Sequence, residues 1–569
     1  MKKKLIIMAL FVVTLTAFQH ILHPVPASSP IPLAEYPEKK IVLVPLDGRP
    51  PCRQFVIDAG HIGAFDVNVP PSALQDYYSM PGDTAGMRTW LKEQLPGSHA
   101  AIISIDQLLY GGLLAARERE LGPGDLETLT AFLREIHQAN PDIPIYAFSI
   151  LPRLSPQDTI DGYAERRDIM KYSRLVGKKA AGLPVDDEEI KKLAESIPPK
   201  SLETYLAHFE KNKLLNERLA ELAAEGVLSR LILGQDDGEE YGIPNIEKAD
   251  IVSFLHDRKI PEERVFLTHG ADEIALTILA EIKCRDTGFR PKVFTAYNCE
   301  KTARMVMPYM AVTMSASAEE KLRMLNALPV SFQEDADFSL FLSANDWEED
   351  TIGSRLTSAK QLKRLTAEGK NAAIVDLTRH FSSEEALLPI LLREHVPLNS
   401  FIAYAGWNTA SNSIGTALAQ SILFLARQKE VQTKGEALAL SQYNLTFLHN
   451  RYLEDFYYLK EIIDKVNQSL KRVGYRNTAD LDLEHNALWA NAMLQTAIRE
   501  QTDVFRESPS VAAPFSIDTP DGPVHLRIRD LSVYAAYPWP RTFEIHLQSS
   551  PALEEISEAD PYVYSPLHQ

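Results

Sequence analysis

The amino-acid sequence predicts an α/β protein with a barrel-like (β/α) core of parallel strands, a helical C-terminal region and a small terminal β element. Two observations carry this prediction. Short apolar segments alternate with helical ones, which indicates βα units. Polar residues follow the apolar segments, as they do at the active face of such a fold. The predicted strands are residues 40–46, 65–69, 100–105, 143–150, 231–233, 264–268, 292–297, 371–375 and 401–405.

Nine strands are one more than the eight that a closed barrel needs. Either one of them is an edge or insertion strand, or the fold consists of two sheets. The polar residues that recur at one end of the strands are expected for a barrel or for a doubly wound sheet, and we favour the barrel-like core.

The chain divides into four regions. Residues 1–29 begin with lysines, continue with a short apolar run and end in small residues, which predicts a secretory signal peptide that is cleaved near Ala27. The alternative is an uncleaved membrane anchor. In both cases we expect a secreted or cell-envelope protein. The remaining regions are the barrel-like core at 30–417, the helical region at 418–508, and the small β element with a loose tail from residue 549 at 509–569.

Composition and motifs exclude several classes of protein. The formal net charge is -18 and the body has no basic stripe, so nucleic acid is not an expected partner. The 3 cysteines are too few for a disulfide scaffold, and no zinc-ligand spacing occurs. No nucleotide-binding motif follows a predicted strand, so no cofactor is expected. After the signal no segment is long and apolar enough for stable membrane insertion.

The strongest candidate for a catalytic centre is the stretch GQDDGEEYG at residues 234–242, which follows an apolar strand. Asp236 and Asp237 are adjacent carboxylates within it. Neighbouring acids in a closed pocket push their pKa values apart. Hydrolysis of a glycosidic bond needs one protonated acid and one carboxylate. The alternative is a solvated acidic turn, which the nearby Glu239 and Glu240 favour.

Asp272 is the third catalytic candidate, because it follows another predicted strand together with His269. It could instead cap the helix that begins at Glu273. His269 and the scattered aspartates also leave a divalent-cation site open. Their spacings match no standard metal-binding loop, so no metal ligand is assigned.

Further polar residues at strand ends are predicted to line the same cleft and to contact the substrate. Arginines bind carboxylate or phosphate groups, amides bind hydroxyl groups, and an aromatic face stacks on a sugar ring. A structural role, such as a turn cap or a helix start, is the alternative for several of them. The predicted substrate-binding residues are Asp47, Arg49, Asp106, Tyr110, Arg153, His269, Asn298, Trp407, Asn408 and Asn412.

Five motifs resemble the bacterial domain of unknown function 4127 family. They are PLDGRP at 45–50, DQLLYGG at 106–112, GADE at 270–273, GWNT at 406–409 and PWPRTFE at 538–544. The resemblance runs from about residue 40 to residue 547. It implies a family but no particular activity, so no catalytic residue is transferred from it.

Two shorter patterns are similar to exported glycoside hydrolases with barrel folds. Asp236-Asp237 looks like the adjacent aspartates of hexosaminidases that use the acetamido group of the substrate. Residues 270–273 are similar to the Gly-Asp-Glu element of another hexosaminidase family, with Ala271 as an interruption. The two patterns belong to different families, so at most one of them is the true analogue.

The sequence therefore supports an exported, glycoside hydrolase-like enzyme that uses paired aspartates at a strand end. Its expected partner is a small-molecule or oligosaccharide substrate. Two alternatives stay open. One is a metal-dependent hydrolase that uses His269 and the aspartates, and the other is a non-catalytic cell-envelope protein that binds a glycan.

Overall fold

The computed structural model describes residues 38–160, 162–346 and 352–556, so the predicted signal peptide lies outside the described residues. Six strands form one parallel sheet in the order β2-β1-β3-β4-β5-β6. They are β1 Lys39–Val44, β2 Phe65–Asn68, β3 Ala100–Ser104, β4 Ile145–Leu151, β5 Arg230–Gln235 and β6 Val265–His269.

The strand β1 shows why these segments are apolar throughout. Ile41 and Leu43 belong to the core on one face of the sheet, and Val42 and Val44 belong to the core on the other face. Successive side chains of a strand alternate between faces, and a parallel sheet is covered by helices on both. The apolar runs therefore reflect burial on two faces.

Five further strands form a second parallel sheet in the order β8-β7-β9-β10-β11. They are β7 Lys292–Tyr297, β8 Leu328–Pro329, β9 Phe338–Asn345, β10 Ala372–Thr378 and β11 Ala403–Ala405. In each sheet the first strand of the chain lies in the interior. The second strand pairs with one side of it, and the later strands follow in order on the other side. This is the strand order of a doubly wound sheet.

The α/β class with parallel strands is confirmed, but the strands lie in two open sheets and not in one barrel. The first sheet ends at β6 and does not close onto β2. The reason lies in the next helix, Ile274–Thr287, which packs into the core between the two sheets.

Four helices lie between the two sheets, and their buried side chains share one core with the inner faces of both. Every residue from Ile274 to Cys284 is buried, as expected for a helix that is enclosed on all sides. The four helices are Gln54–Gly63, Ile274–Thr287, Met314–Met324 and Ala410–Gln428.

The other helices cover the outer faces of the sheets or connect strands. They are Thr84–Gln94, Ile105–Tyr110, Leu113–Glu118, Asp125–Ala139, Tyr163–Ala180, Asp187–Ser196, Pro199–Ala224, Ile243–Asp257, Glu300–Arg304, Ile352–Ala367, Leu388–Arg393, Lys434–Arg451, Ile463–Arg472, Ala487–Glu507 and Pro509–Ala512. A π-helical segment, Tyr452–Ile462, joins two of them. No helix among the described residues is long and apolar enough to cross a membrane.

The third sheet is antiparallel and confirms the predicted small β element near the C-terminus. It consists of β12 Phe515–Ile517, β13 Val524–Ala536 and β14 His546–Ile556. The loose tail predicted from residue 549 is wrong for residues 549–556, because β14 pairs with β13 along that stretch. Residues 557–569 lie outside the described residues.

Gly177, in the helix Tyr163–Ala180, packs directly against the end of the predicted catalytic loop at residues 234–242. A Cβ atom at Gly177 would lie 2.2 Å from the backbone nitrogen of Gly242, the residue that closes the loop starting at Asp236. A backbone cannot swing aside as a flexible side chain can. We therefore expect Gly177→Ala to lower the free energy of unfolding by about 1–3 kcal/mol, measured by urea denaturation.

Gly353 provides the matched control for that substitution. It also lies in a helix, and a Cβ atom there has no heavy atom of the described residues within 4 Å. Gly353→Ala should be neutral or stabilising by up to about 1 kcal/mol. Equal effects of the two substitutions would contradict the close approach at Gly242.

Candidate functional site

A small polar cavity, called here the acid pocket, lies at the carboxyl ends of β5 and β6, beside the start of the helix Ala410–Gln428. Its volume is about 20 Å³, which holds about one water molecule. The carboxyl edge of a parallel sheet is where such folds place their ligands. The pocket is lined by Gln235, Asp236, Asp237, Gly238, His269, Gly270, Ala271, Asp272, Tyr309, Met310, Asn408, Thr409 and Asn412.

A larger cavity of about 840 Å³ lies at the amino ends of β10 and β11 in the second sheet. Its wall includes Asn371, Phe401 and Ile402. Volume alone would favour this cavity. The acid pocket is the better candidate for chemistry because buried groups with shifted pKa values converge there.

Asp236 and Asp237 differ in their electrostatic surroundings. Burial acts to raise the pKa of Asp236, but the charge and hydrogen bonds of Arg117 and the charge of Arg153 outweigh it and hold that pKa below its usual range. Burial and the neighbouring Asp236 raise the pKa of Asp237 to about 6. One carboxyl group is therefore ionised near neutral pH, and the other retains a proton up to about pH 6.

The side chain of Arg49, which follows β1, contacts three carboxylate groups. Its guanidinium group donates to Asp47 Oδ2 at 2.7 Å, to Asp272 Oδ1 at 2.6 Å and to Glu544 Oε1 at 3.4 Å. All four side chains are buried. Glu544 also accepts from Arg541, so the segment between β13 and β14 contributes to this network.

Asp272 is fixed by amide groups on its other side. Its Oδ2 accepts from Asn408 Nδ2 at 3.1 Å and from Asn412 Nδ2 at 3.4 Å. Burial raises the pKa of Asp272 to about 6, although the charge of Arg49 opposes that shift. Asn408 has a φ of 49° in the left-handed region, which asparagine tolerates better than most residues. Its backbone turn aims the amide at Asp272.

Two groups of potential metal ligands occur among the described residues. Asp47, Cys52 and Asp272 form one, and the guanidinium group of Arg49 already bonds the carboxylate oxygens of both aspartates. The second group is Asp346, His380 and Glu385, at the carboxyl ends of β9 and β10. Because Arg49 carries the positive charge that a cation would supply, the first group does not fit a metal ion.

His269 is oriented by groups that the sequence did not single out. Its Nδ1 lies 2.8 Å from Glu320 Oε2, and its Nε2 lies 3.1 Å from Lys248 Nζ. Burial opposes the ionised form of Glu320, but the hydrogen bond and charge of His269 lower its pKa to about 2. Burial also lowers the pKa of Lys248. Glu320 and Lys248 therefore fix the imidazole ring of His269 in the wall of the acid pocket.

Asp76 is a further buried acid next to Arg49. Its Oδ1 accepts from the Gly48 backbone N–H at 2.8 Å, and its Oδ2 has no partner among the described residues. Burial and the nearby Asp47 raise the pKa of Asp76 to about 8. A Cβ atom on Gly112 would lie 2.6 Å from Asp76 Oδ2, so this glycine leaves room for the carboxyl group.

The structure brings most of the predicted site residues together. Six of them line the acid pocket, Asp47 and Arg49 reach it through Asp272, and the charge of Arg153 acts on Asp236 and Asp237. The six lining residues are Asp236, Asp237, His269, Asp272, Asn408 and Asn412.

Asp106 and Tyr110 lie in the helix Ile105–Tyr110, and only Asp106 is close enough for the charges of Asp236 and Arg117 to act on it. Asp106 is buried and accepts from the Ile150 backbone N–H at 3.1 Å, and burial raises its pKa to about 7. Tyr110 belongs to the core on the outer face of the first sheet. Both residues have structural contacts and neither lines the acid pocket.

Asn298 and Trp407 also lie outside the acid pocket. Asn298 Nδ2 donates to Asn345 Oδ1 at 2.9 Å, which joins the ends of β7 and β9. The indole ring of Trp407 is buried against Phe55 at 5.5 Å, and its Nε1 donates to Thr416 at 3.2 Å. A ring packed in this way offers no face to a sugar.

Five residues of the site were not predicted from the sequence. Arg117, Lys248 and Glu320 lie in or next to helices and belong to no strand-end motif, so only their position in space identifies them. Glu544 lies in the motif PWPRTFE, which was a usable signal. The five residues are Asp76, Arg117, Lys248, Glu320 and Glu544.

Fold and site together define a doubly wound α/β protein with an acid-lined pocket at the carboxyl edge of its first sheet. The model of the family described as "Protein of unknown function (DUF4127)" matches residues 41–548, and the chain belongs to that family. No curated protein and no solved structure matches the chain.

Proposed function

We propose that the protein is an exported hydrolase that cleaves a glycosidic bond in a carbohydrate or a related polyhydroxylated substrate. The observation that carries this proposal is the pair Asp236 and Asp237, two adjacent carboxyl groups in a small polar pocket. Their pKa values are shifted in opposite directions. Two aspartates whose pKa values differ in this way can act as an acid and a base at the same pH.

The two aspartates take different roles in this mechanism. Asp237 retains its proton up to about pH 6 and donates it to the leaving oxygen. Asp236 stays ionised beside Arg117, and it stabilises positive charge on the sugar or activates water. Asp272, whose position Arg49, Asn408 and Asn412 fix, holds substrate hydroxyl groups.

A sugar unit enters only if the walls of the acid pocket separate, because the present volume is about 20 Å³. One connection across the walls is the hydrogen bond from the Gly238 backbone N–H to the Tyr309 carbonyl oxygen at 2.9 Å. Tyr309 is exposed, with 57% of its surface accessible, so its segment lies at the mouth of the pocket. Substrate binding would break this connection.

The test is a screen of the purified protein against chromogenic glycosides across a pH series. We expect turnover that declines as the pH rises above about 6, because Asp237 then loses the proton it must donate. Asp237→Asn should reduce kcat by about 100-fold or more and remove that decline. Glu240→Gln is the matched control, because Glu240 lies in the same loop with an exposed side chain.

The alternatives predict other outcomes. A chelator should leave turnover unchanged, and loss of turnover in its presence would support the metal-dependent hydrolase. If no glycoside is cleaved and glycan affinity is the same in Asp236→Asn, Asp237→Asn and the parent, the protein is a binding protein and the proposed reaction is wrong.

A further inference from the structure

Arg49, Arg117 and Arg153 all lie near the acid pocket, and the first two have carboxylate partners. Arg49 pairs with Asp272, and Arg117 pairs with Asp236. Within residues 38–160, 162–346 and 352–556, Arg153 makes no ion pair, and its Nε atom is buried without a hydrogen-bond partner. Arg153 therefore brings a positive charge close to the acid pocket, and no carboxylate of the described residues forms an ion pair with it.

The strand register places Arg153 next to the paired aspartates. Leu151 of β4 is aligned with Gln235 of β5, so Arg153 and Asp237 each lie two residues beyond aligned positions. Neighbouring strands are about 4.8 Å apart. In agreement, the charge of Arg153 acts to lower the pKa of both Asp236 and Asp237.

Holding this side chain without a partner is unfavourable. Burial lowers the pKa of Arg153, the like charge of Arg117 acts in the same direction, and the charges of Asp236, Asp237 and Asp158 oppose that shift. The Nε–H group of Arg153 is buried without an acceptor among the described residues, and one buried donor left unsatisfied lowers stability by about 1–3 kcal/mol. Negatively charged oxygens from a ligand would remove this penalty.

Gln157 is a second residue with an unpartnered polar atom among the described residues, and it lines the same small cavity as Arg153. A cavity of about 10 Å³ beside Arg117 and Arg153 is also lined by Ser155, Gln157 and His208. The Oε1 atom of Gln157 is buried there and has no hydrogen-bond partner among the described residues. An amide oxygen accepts from a hydroxyl group. The cavity thus offers a donor for an anion and an acceptor for a neighbouring hydroxyl.

We propose that Arg153, with Gln157 beside it, binds the oxyanion of an acidic sugar unit next to the bond that is cleaved at Asp236 and Asp237. The planar guanidinium group matches a carboxylate or a sulfate in a bidentate arrangement. This inference rests on the proposed function and adds the substrate class, a glycan with carboxylate- or sulfate-bearing units.

The test is the binding of D-glucuronate, D-glucose and inorganic sulfate to the purified protein by calorimetry, none of which involves turnover. We expect the parent to bind glucuronate more tightly than glucose. Arg153→Gln should weaken glucuronate binding by at least about tenfold, as expected for the loss of a charged hydrogen-bond donor, and leave glucose binding unchanged. Sulfate that competes with glucuronate indicates a general oxyanion site, and sulfate that does not indicates selectivity for carboxylate.

The matched control is Arg53→Gln. Arg53 also has a buried Nε without a partner in the described part of the chain, but burial is what lowers its pKa, and no carboxylate in that part contributes to the shift. This variant should bind glucuronate as the parent does. Arg153→Gln should unfold at about the same temperature as the parent, because Arg153 makes no ion pair within the described residues. A clear loss of thermal stability would identify a structural role and overturn the proposal.

Two further results separate this proposal from the proposed reaction. If the parent binds neither glucuronate nor sulfate, or if Arg153→Gln binds glucuronate as tightly as the parent, the oxyanion site is wrong. If glucuronate binding depends on Arg153 but no glycoside is cleaved, the oxyanion site stands and the hydrolase is wrong.

Discussion

Replacing Arg49 with methionine is expected to lower the free energy of unfolding by about 3–5 kcal/mol, because it leaves three buried carboxylates without their shared cation. Arg49 contacts Asp47, Asp272 and Glu544, and all four side chains are buried. Methionine fills similar space but cannot donate a hydrogen bond. Urea denaturation at pH 8 measures the loss.

The same variant should depend on pH in a defined direction. Burial already raises the pKa of Asp272 to about 6 in the presence of Arg49, and removal of the guanidinium group raises it further. Protonation of the carboxyl groups relieves their repulsion, so the destabilisation should be smaller at pH 5 than at pH 8. Arg218→Met removes an arginine that pairs with Glu221 on an exposed helix surface, and it should change stability by at most about 1 kcal/mol. A loss below about 1 kcal/mol for Arg49→Met at both pH values would contradict this role.

Lys321→Met is expected to have an effect of similar size. Lys321 and Glu273 form an ion pair at 2.5 Å in which both side chains have 0% of their surface exposed. Lys321 Nζ also donates to Thr268 Oγ1 at 2.8 Å and to the His269 carbonyl oxygen at 2.7 Å. The substitution leaves a buried carboxylate unpaired, and we expect a loss of about 3–5 kcal/mol in urea denaturation.

The double variant Lys321→Met with Glu273→Gln provides the decisive comparison. It removes both charges, so the penalty of an unpaired buried ion disappears and part of the lost stability should return. A double variant that is no more stable than Lys321→Met would show that the loss comes from packing or from the hydrogen bonds to Thr268 and His269.

The strands could be predicted from the sequence because burial on two faces makes them apolar runs. Each of the nine predicted strands corresponds to a strand of the structure. The central strand β9, Phe338–Asn345, was missed, although it is fully buried. Ser339 and Ser343 interrupt its apolar residues, and Asp337 and Asp346 flank it, so the sequence is less apolar than the complete burial of the strand would suggest. Whether the strands close into a barrel depends on their order in the sheet, and no local sequence pattern records that order.

The site could be predicted in part because carboxyl ends of parallel strands share one edge. This rule placed Asp236, Asp237, Asp272 and Asn408 correctly at one pocket. The same rule selected Trp407 wrongly. Its indole ring is buried against Phe55 and donates a hydrogen bond to Thr416, so it does not reach the pocket. Arg117 was missed because it lies in a helix and meets Asp236 across 119 positions of the chain.

The contact between Arg49 and Glu544 joins residues that are 495 positions apart. A loop of that length closes late, because distant contacts form only after the intervening chain has been ordered. During synthesis from the N-terminus, the first sheet therefore meets its last carboxylate only when nearly all of the described chain has been made. In every shorter nascent chain Arg49 would then lack Glu544, so the complete set of three carboxylates around this guanidinium group exists only once the chain is almost finished.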